Sequence, residues 1–221
     1  MDGEVILIDK PTGMTSFGVV ARVRRVLSKR AGKKVKVGHC GTLDPFATGL
    51  LILVSGKMTR KAMEFTKLDK VYEAEIILGQ QSTTGDPEGE LTNVSADVPT
   101  RERIEQVIAG FRGEITQTPP IFSAIKINGQ RAYKLARDGK EVEIPSRQVT
   151  VYSLEVLEYT YPSLVIRTHV SSGTYIRSLA VDIGTTLGTG AYCKELRRTR
   201  IAEFDIADAV TLRQFDNSLE N

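Results

Sequence analysis

Two cysteines and two histidines are all the soft metal ligands in this chain of 221 residues. Cys40 and Cys193 are 153 positions apart and make no disulfide framework. With His39 and His169 they form neither a Cys-x-x-Cys pair nor a His-x-x-x-His pairing, so no zinc or other metal site is expected. No stretch approaches the roughly 20 apolar residues of a membrane span; the longest run, Leu50 to Val54, has the length of a core strand. The N-terminus, MDGEVILIDK, places acids before any apolar stretch, unlike a secretory signal or an Arg-rich presequence. Phosphate-loop, hydrolase and calcium signatures are missing too. Ser55-Gly56-Lys57-Met58 lacks the leading glycine and the closing Ser or Thr of a P-loop. There is no Gly-x-Ser-x-Gly elbow, and the acids of 85–90 do not follow calcium-loop spacing. Internal repeats and low-complexity tracts are absent. These absences predict a soluble, reduced, cytoplasmic protein with no membrane partner.

What is present is a balanced globular composition, 41% hydrophobic and 26% charged. A chain of this length buries roughly 70% of its unfolded surface, enough for one large domain or two small ones without a staple. Net charge is only +3, yet it is unevenly spread. Eight basic residues and no acid lie between Arg22 and Lys36, among them Arg22, Arg25 and Lys29. A second run, Lys194, Arg197, Arg198 and Arg200, is broken by Glu195 alone. Acids gather instead between Asp86 and Glu105 and after Glu203. Basic segments from both ends of the chain, if they converge, suit a polyanion such as nucleic acid. The plain alternative is a solvated helix face.

Residues 4–9 read as a buried strand, and Ser16 as the N-cap of a helix to about Arg30. Residues 37–49 are dense in glycine. Leu50–Val54 and Val71–Leu78 read as strands around a short helix at 58–67, residues 80–99 as a loop, and Thr100 as the cap of a helix to about Gly110. The segment 113–147 holds Pro119-Pro120, a strand at Ser123–Ile127, an Asn128-Gly129 turn and helical turns at Tyr133–Arg137. Six basic residues, Lys126 and Arg131 among them, lie between Lys126 and Arg147, with Tyr133 in their midst. An exposed excursion of this kind is expected to be functional or mobile. Strands at 148–159 and 163–171 precede a helix with an apolar stripe at Ile176, Leu179, Ala180, Ile183 and Leu187; a last strand covers 192–199. Together they predict an α+β fold, a mixed and largely antiparallel central sheet flanked by helices.

The informative stretch is GHCGTLDPFATGLL, residues 38–51. An aspartate before proline is ordinarily a turn residue. Here Asp44 lies between glycines and is followed by a very apolar strand, where backbone N–H groups can reach a carboxylate. Its charge, partly buried, requires a partner, and Arg177, in the first turn after Gly173, is a candidate.

This segment resembles the signature of the tRNA pseudouridine-55 synthases, the TruB-type family. Four more matches follow in order: Asp9-Lys10-Pro11-Thr12-Gly13-Met14-Thr15-Ser16, the strand start Lys70-Val71-Tyr72, Ser171-Ser172-Gly173-Thr174-Tyr175-Ile176-Arg177, and Leu196-Arg197-Arg198. The resemblance runs from about Val5 to Leu212. It implies the pseudouridine synthase fold, with residues 1–221 as one catalytic domain and 113–147 as a mobile RNA-gripping insertion. It implies that Asp44 is the essential aspartate, that Tyr72 stacks on the target base and that Arg177 pairs with Asp44. His39 would help to hold the flipped-out loop, Tyr175 and Leu196 would line the pocket, and Lys10 would support the catalytic loop. Packing alone is the other reading of Tyr175 and Leu196. Two departures stand out. Cys40 replaces a frequent threonine, and the separate C-terminal RNA-binding domain that many members carry is not expected here.

The implied reaction breaks the uridine C1′–N1 bond and makes a C1′–C5 bond. Atoms are conserved, so no cofactor is expected. An ionised carboxylate serves as nucleophile or base, and a cation within about 4–6 Å keeps it ionised. The base must leave its stack, at a cost of a few kcal/mol that aromatic stacking and phosphate contacts offset. The basic runs 22–36, 126–137 and 194–200 are the expected phosphate contacts. The expected partner is the T-arm stem-loop of tRNA, bound by a monomer without a guide RNA.

Overall fold

In Val5–Lys10 every second side chain is buried, the signature of a strand with one face on the core, and this is β1. The computed structural model describes residues 3–123, 125–127, 130–132 and 144–218. In chain order the further elements are α1 (Ser16–Ala31), β2 (Val37–His39), β3 (Thr48–Ser55), a 3₁₀ turn (Gly56–Lys61), α2 (Ala62–Thr66), β4 (Lys70–Leu78), β5 (Gln80–Ser82), β6 (Leu91–Asn93), α3 (Arg101–Ala109) and β7 (Gly113–Gln117). They continue with β8 (Lys126–Ile127), β9 (Gln130–Arg131), β10 (Arg147–Thr160), β11 (Ser163–Val170), α4 (Ile176–Leu187), β12 (Ala191–Ile201), β13 (Phe204–Asp205), a 3₁₀ turn (Ile206–Asp208), β14 (Val210–Thr211) and α5 (Leu212–Asn217). The chain divides into two compact units, Met1–Tyr72 with Arg197–Asn221, and Glu73–Leu196.

The first unit is organised on β3. β1 runs antiparallel along one edge of it, from Val5↔Val54 to Lys10↔Gly49. The other edge is shared by β12, parallel through Arg197↔Thr48 and Arg198↔Gly49, and by β2, antiparallel from Val37↔Ser55 to His39↔Leu53. β14 lies parallel to β1 on its outer side. β3 is apolar without alternation because both faces are covered. Leu51 and Leu53 pack with Ile6, Ile8 and the α1 residues Val19, Val20, Val23 and Leu27. Leu50, Ile52 and Val54 form a second layer with Cys40 and Ile201. Each fully buried leucine or isoleucine contributes about 1.5–3 kcal/mol.

The N-cap of α1 is Thr15, not Ser16: the Thr15 hydroxyl accepts from Gly18 N–H, and Ser16 is the first helical residue, its hydroxyl turned inward. Gly32, at φ 62°, closes the helix in the left-handed conformation.

In the second unit the strand order is β4–β11–β10–β7. The long β10–β11 hairpin is antiparallel, with register shifts after Val151 and Val156, and β7 pairs antiparallel with β10. α4 buries Ile176, Leu179, Ala180 and Ile183, as its stripe predicts. α3 starts at Thr100, whose hydroxyl accepts from Arg103 N–H.

The fold is thus α+β with a mixed, largely antiparallel pattern of strands, as expected, and the differences are local. Residues 80–99 are not wholly loop, since β5 and β6 pair there. The strand expected at Ser123–Ile127 is present only as β8, paired with β9. Four short elements follow β12 where no structure was expected. The Asn128-Gly129 turn and Tyr133–Arg137 lie outside the described residues. Among the described residues no helix is long and apolar enough to cross a membrane.

Candidate active site

Asp44 sits half-buried in the loop between β2 and β3, and the main chain on both sides of it is tied to residues 10–16. Before it, the Ser16 hydroxyl accepts from Leu43 N–H at 2.8 Å and donates to the Leu43 carbonyl at 3.0 Å. After it, the Pro45 carbonyl accepts from Gly13 N–H at 2.8 Å and from the Lys10 ammonium at 3.3 Å. The Phe46 carbonyl accepts from the Thr12 hydroxyl at 3.1 Å. Lys10, wholly buried, also donates to the carbonyls of Pro11 and Met14 at 2.8 and 2.7 Å. All three of its N–H donors are therefore used, and the loop has little freedom around its carboxylate.

Arg198 is the second fixture. It is 1% exposed, donates through Nε to the Leu50 carbonyl at 2.8 Å, and reaches the Gly41 carbonyl and the Tyr72 hydroxyl at 3.3 and 3.5 Å. Its guanidinium lies 6.0 Å from the centroid of the Tyr72 ring. One buried arginine thus touches the loop that carries Asp44, the strand that follows it, and the tyrosine at the start of β4. Gly49 makes this approach possible: its φ is +103°, and a Cβ there would meet the Arg198 carbonyl oxygen at 2.3 Å.

The site is rich in cations. Burial pushes Lys10 from 10.5 down to about 8, Asp44 opposing the fall and Arg198 adding to it. Burial likewise lowers Lys70 to about 8, with Arg198 adding and Asp69 opposing. Three buried cations, Lys10, Lys70 and Arg198, favour negative charge near them. They also give a pH signature. A lysine whose pKa is lower in the fold than in the unfolded chain releases its proton on folding. Its contribution to stability is therefore least below about pH 8 and grows toward about pH 10.5. Lys70→Met lacks that gain. The melting-temperature gap in favour of the wild type should widen from about pH 7 to about pH 9.5; a narrowing gap would contradict the burial of a charged Lys70.

His39 ends β2, half-buried and paired in register with Leu53. The neighbouring Cys40 thiol is fully buried and raised by burial to about 11, so it is no nucleophile. Among the described residues no group of three or more His, Cys, Asp and Glu could hold a metal ion.

In the second unit Arg177, 3% exposed, donates to Asp86 at 2.7 Å. It also donates to the carbonyls of Thr84 and Phe122 at 3.0 and 2.7 Å. Asp86 itself accepts from the Thr84 hydroxyl and from Glu88 N–H. This buried pair fixes the guanidinium, and nothing in the sequence singled Asp86 out from a polar turn. Tyr175 is half-buried, bonded through its backbone to the Gln117 side chain, with the Arg147 guanidinium 5.1 Å from its ring centroid. Leu196 is buried on β12.

Arg22, Arg25 and Lys29 are all exposed on α1, and Arg22 is also paired with Asp216 of α5. In the run at 194–200, Lys194 and Arg200 are exposed and Arg197 is half-buried. Lys194 pairs with Glu75 at 3.0 Å, Arg197 pairs with Asp9 at 2.8 Å, and Arg198 is buried. Strand alternation carried that signal, because Arg198 shares a face with the apolar Leu196. Lys126 and Arg131 are backbone partners in the register of the β8–β9 pair. Tyr133 lies outside the described residues.

A carboxylate on a main-chain-anchored loop, with the buried Lys10 ammonium near it, suits acid–base or nucleophilic work. Residues 24–176 match the family model of the TruB family pseudouridylate synthase N-terminal domain, and residues 177–221 match that of the tRNA pseudouridylate synthase B C-terminal domain. The chain is 47% identical over 221 residues to tRNA pseudouridine synthase B of Azoarcus sp. (strain BH72), covering 99% of this chain and 71% of the relative. It is 46% identical over 220 residues to the protein of the same name from Aquifex aeolicus (strain VF5), covering 99% and 75%. Among solved structures, a chain in a crystal structure of a Cbf5–Nop10–Gar1 complex superposes with a TM-score of 0.74 at 36% identity. That match covers 96% of this chain and 53% of the solved one, so the chain spans about half the length of that neighbour. The chain belongs to the TruB family of pseudouridylate synthases, which are isomerases.

Proposed function

We propose that this chain converts the T-loop uridine of tRNA at position 55 to pseudouridine, with Asp44 as the essential carboxylate. The observation that carries the reading is the anchoring of Leu43 and Pro45, on either side of Asp44, to the segment from Lys10 to Ser16. A reaction that detaches a base and re-attaches it through another atom needs its carboxylate held still throughout. Breaking C1′–N1 leaves negative charge on the uracil ring, which the buried cations favour. Rebuilding the bond at C5 conserves all atoms except the C5 proton, which exchanges for one at N1, so no cofactor enters.

In this reading Tyr72 is the aromatic wall for the flipped base, and the family resemblance gives Arg177 the task of keeping Asp44 ionised. His39, Tyr175 and Leu196 line the pocket, and Lys10 supports the catalytic loop. Arg25, Lys29, Lys126, Arg131 and Tyr133 contact RNA, with 113–147 as the gripping insertion. The protein works in the cytoplasm as a single chain without a guide RNA.

The test is tritium release from a tRNA transcript labelled at uridine C5, incubated with the purified protein alone. Release is expected, since C5 loses its hydrogen only when it takes the glycosidic bond. Tight tRNA binding without release would sink the reading. The likeness to a Cbf5 chain supports a second one, in which the chain acts only inside a larger complex; release by the protein alone excludes it.

A further inference from the structure

Two cationic segments distant in sequence meet at one end of the first unit. α1 closes at Gly32, and the following loop is pinned by Val35, which is buried in the apolar layer and donates its N–H to the Ser28 hydroxyl at 3.0 Å. Lys33, Lys34 and Lys36, around this anchor, are exposed. Gly56 N–H then donates to the Lys36 carbonyl at 2.9 Å, joining the loop to the 3₁₀ turn Gly56–Lys61. In that turn Met58 packs inward, and Lys57, Arg60 and Lys61 are exposed. No acid occurs in 29–36 or 56–61. The fold therefore builds a ledge of six cations from two halves, neither of which is a conspicuous site by itself.

Its distance from Asp44 follows from two independent elements. β3 starts just after the Asp44 loop and ends at the ledge, and its eight residues span about 23 Å at about 3.3 Å per step. α1 starts at Ser16, bonded to Leu43, and ends at the ledge; its sixteen residues span about 24 Å at about 1.5 Å each. A hairpin with its loop at Asp44 needs more than roughly seven base pairs to bring its phosphates opposite the ledge, because an A-form RNA helix rises less than the about 3.4 Å per pair of B-DNA. The short stem of a T arm ends sooner.

Building on the functional reading above, we propose that this ledge is a second phosphate-binding surface, which engages the tRNA body beyond the T-arm hairpin. Exposed lysines and an arginine suit a sequence-independent phosphate contact, because each engaged cation releases a condensed counterion. The ledge adds affinity for whole tRNA and takes no part in the chemistry.

The test compares wild type with the fourfold variant Lys33→Gln, Lys34→Gln, Arg60→Gln, Lys61→Gln on full-length unmodified tRNA and on an isolated T-arm stem-loop. The dissociation constant is measured by anisotropy across a salt series, and the single-turnover rate at saturating protein. For full-length tRNA the variant should bind about tenfold or more weakly, with the slope of log affinity against log salt shallower by about 3. Stem-loop binding and the saturated rate should stay unchanged. Unchanged binding and slope for full-length tRNA would overturn the proposal. Equal losses on both RNAs would overturn it too, placing the ledge against the T arm. The charge-preserving set Lys33→Arg, Lys34→Arg, Arg60→Lys, Lys61→Arg should bind like the wild type; weakened binding there would assign the effect to packing and also overturn it. The affinity comparison does not depend on turnover, so an inactive wild type would defeat the functional reading while the binding arms still decide the ledge.

Discussion

Asp44→Asn should lower the single-turnover rate of pseudouridine formation by about a thousandfold or more, with tRNA affinity within about threefold of wild type. The substitution keeps the shape of the side chain and removes its charge and basicity. The bonds that hold the loop run to the main chain of Leu43, Pro45 and Phe46, so the asparagine inherits the same position. A group that acts in the transition state costs rate when lost, and one that only contacts the ground state costs binding. Retention of more than about a tenth of the wild-type rate would return Asp44 to the status of a turn residue.

Gly49→Ala should be among the most damaging single-methyl changes in the first unit. The added carbon would lie 2.3 Å from the Arg198 carbonyl oxygen and 2.7 Å from its nitrogen, both backbone atoms that cannot rotate away. The φ of +103° adds strain that any Cβ brings. Overpacking costs about 1–3 kcal/mol, and a strained backbone conformation about as much again. The expected loss of about 4 kcal/mol corresponds to a melting temperature lower by roughly 8–16 °C for a chain of this size. Strand β12 must also move off β3 at the Arg198↔Gly49 pair, which shifts Arg198 away from Leu50 and Gly41. A variant melting within about 2 °C of the wild type would refute the close approach.

Elements with one strong period were legible in the sequence. β1, β3, the β10–β11 hairpin and α4 stand close to where hydrophobic spacing puts them. Those that failed had no local signal. β5 and β6 are short and polar, and β13 and β14 pair with Arg200 and Ile201 and with Ile8 and Asp9, partners that a window along the chain does not compare. Ser16 and Thr15 are equally good caps by residue type; what separates them is Leu43, 27 positions away, which claims the Ser16 hydroxyl. At the site, Asp44 stood out through family resemblance, because its local pattern is that of a turn. Lys10 was legible as a support, but its three carbonyl acceptors were not. Asp86 had no signal, since the charge it neutralises comes from Arg177, 91 positions later.

The loop around Asp44 is held by its own backbone, through groups that every amino acid possesses. The instructions for its shape are consequently written elsewhere, in Lys10, Thr12 and Ser16, whose side chains do the gripping, and in Gly13, which grips through its backbone N–H. Replacing the half-buried Phe46 side chain should leave these bonds in place, whereas replacing Lys10 or Ser16 removes them. The residues that set the shape of this loop thus lie some thirty positions before the carboxylate that it presents.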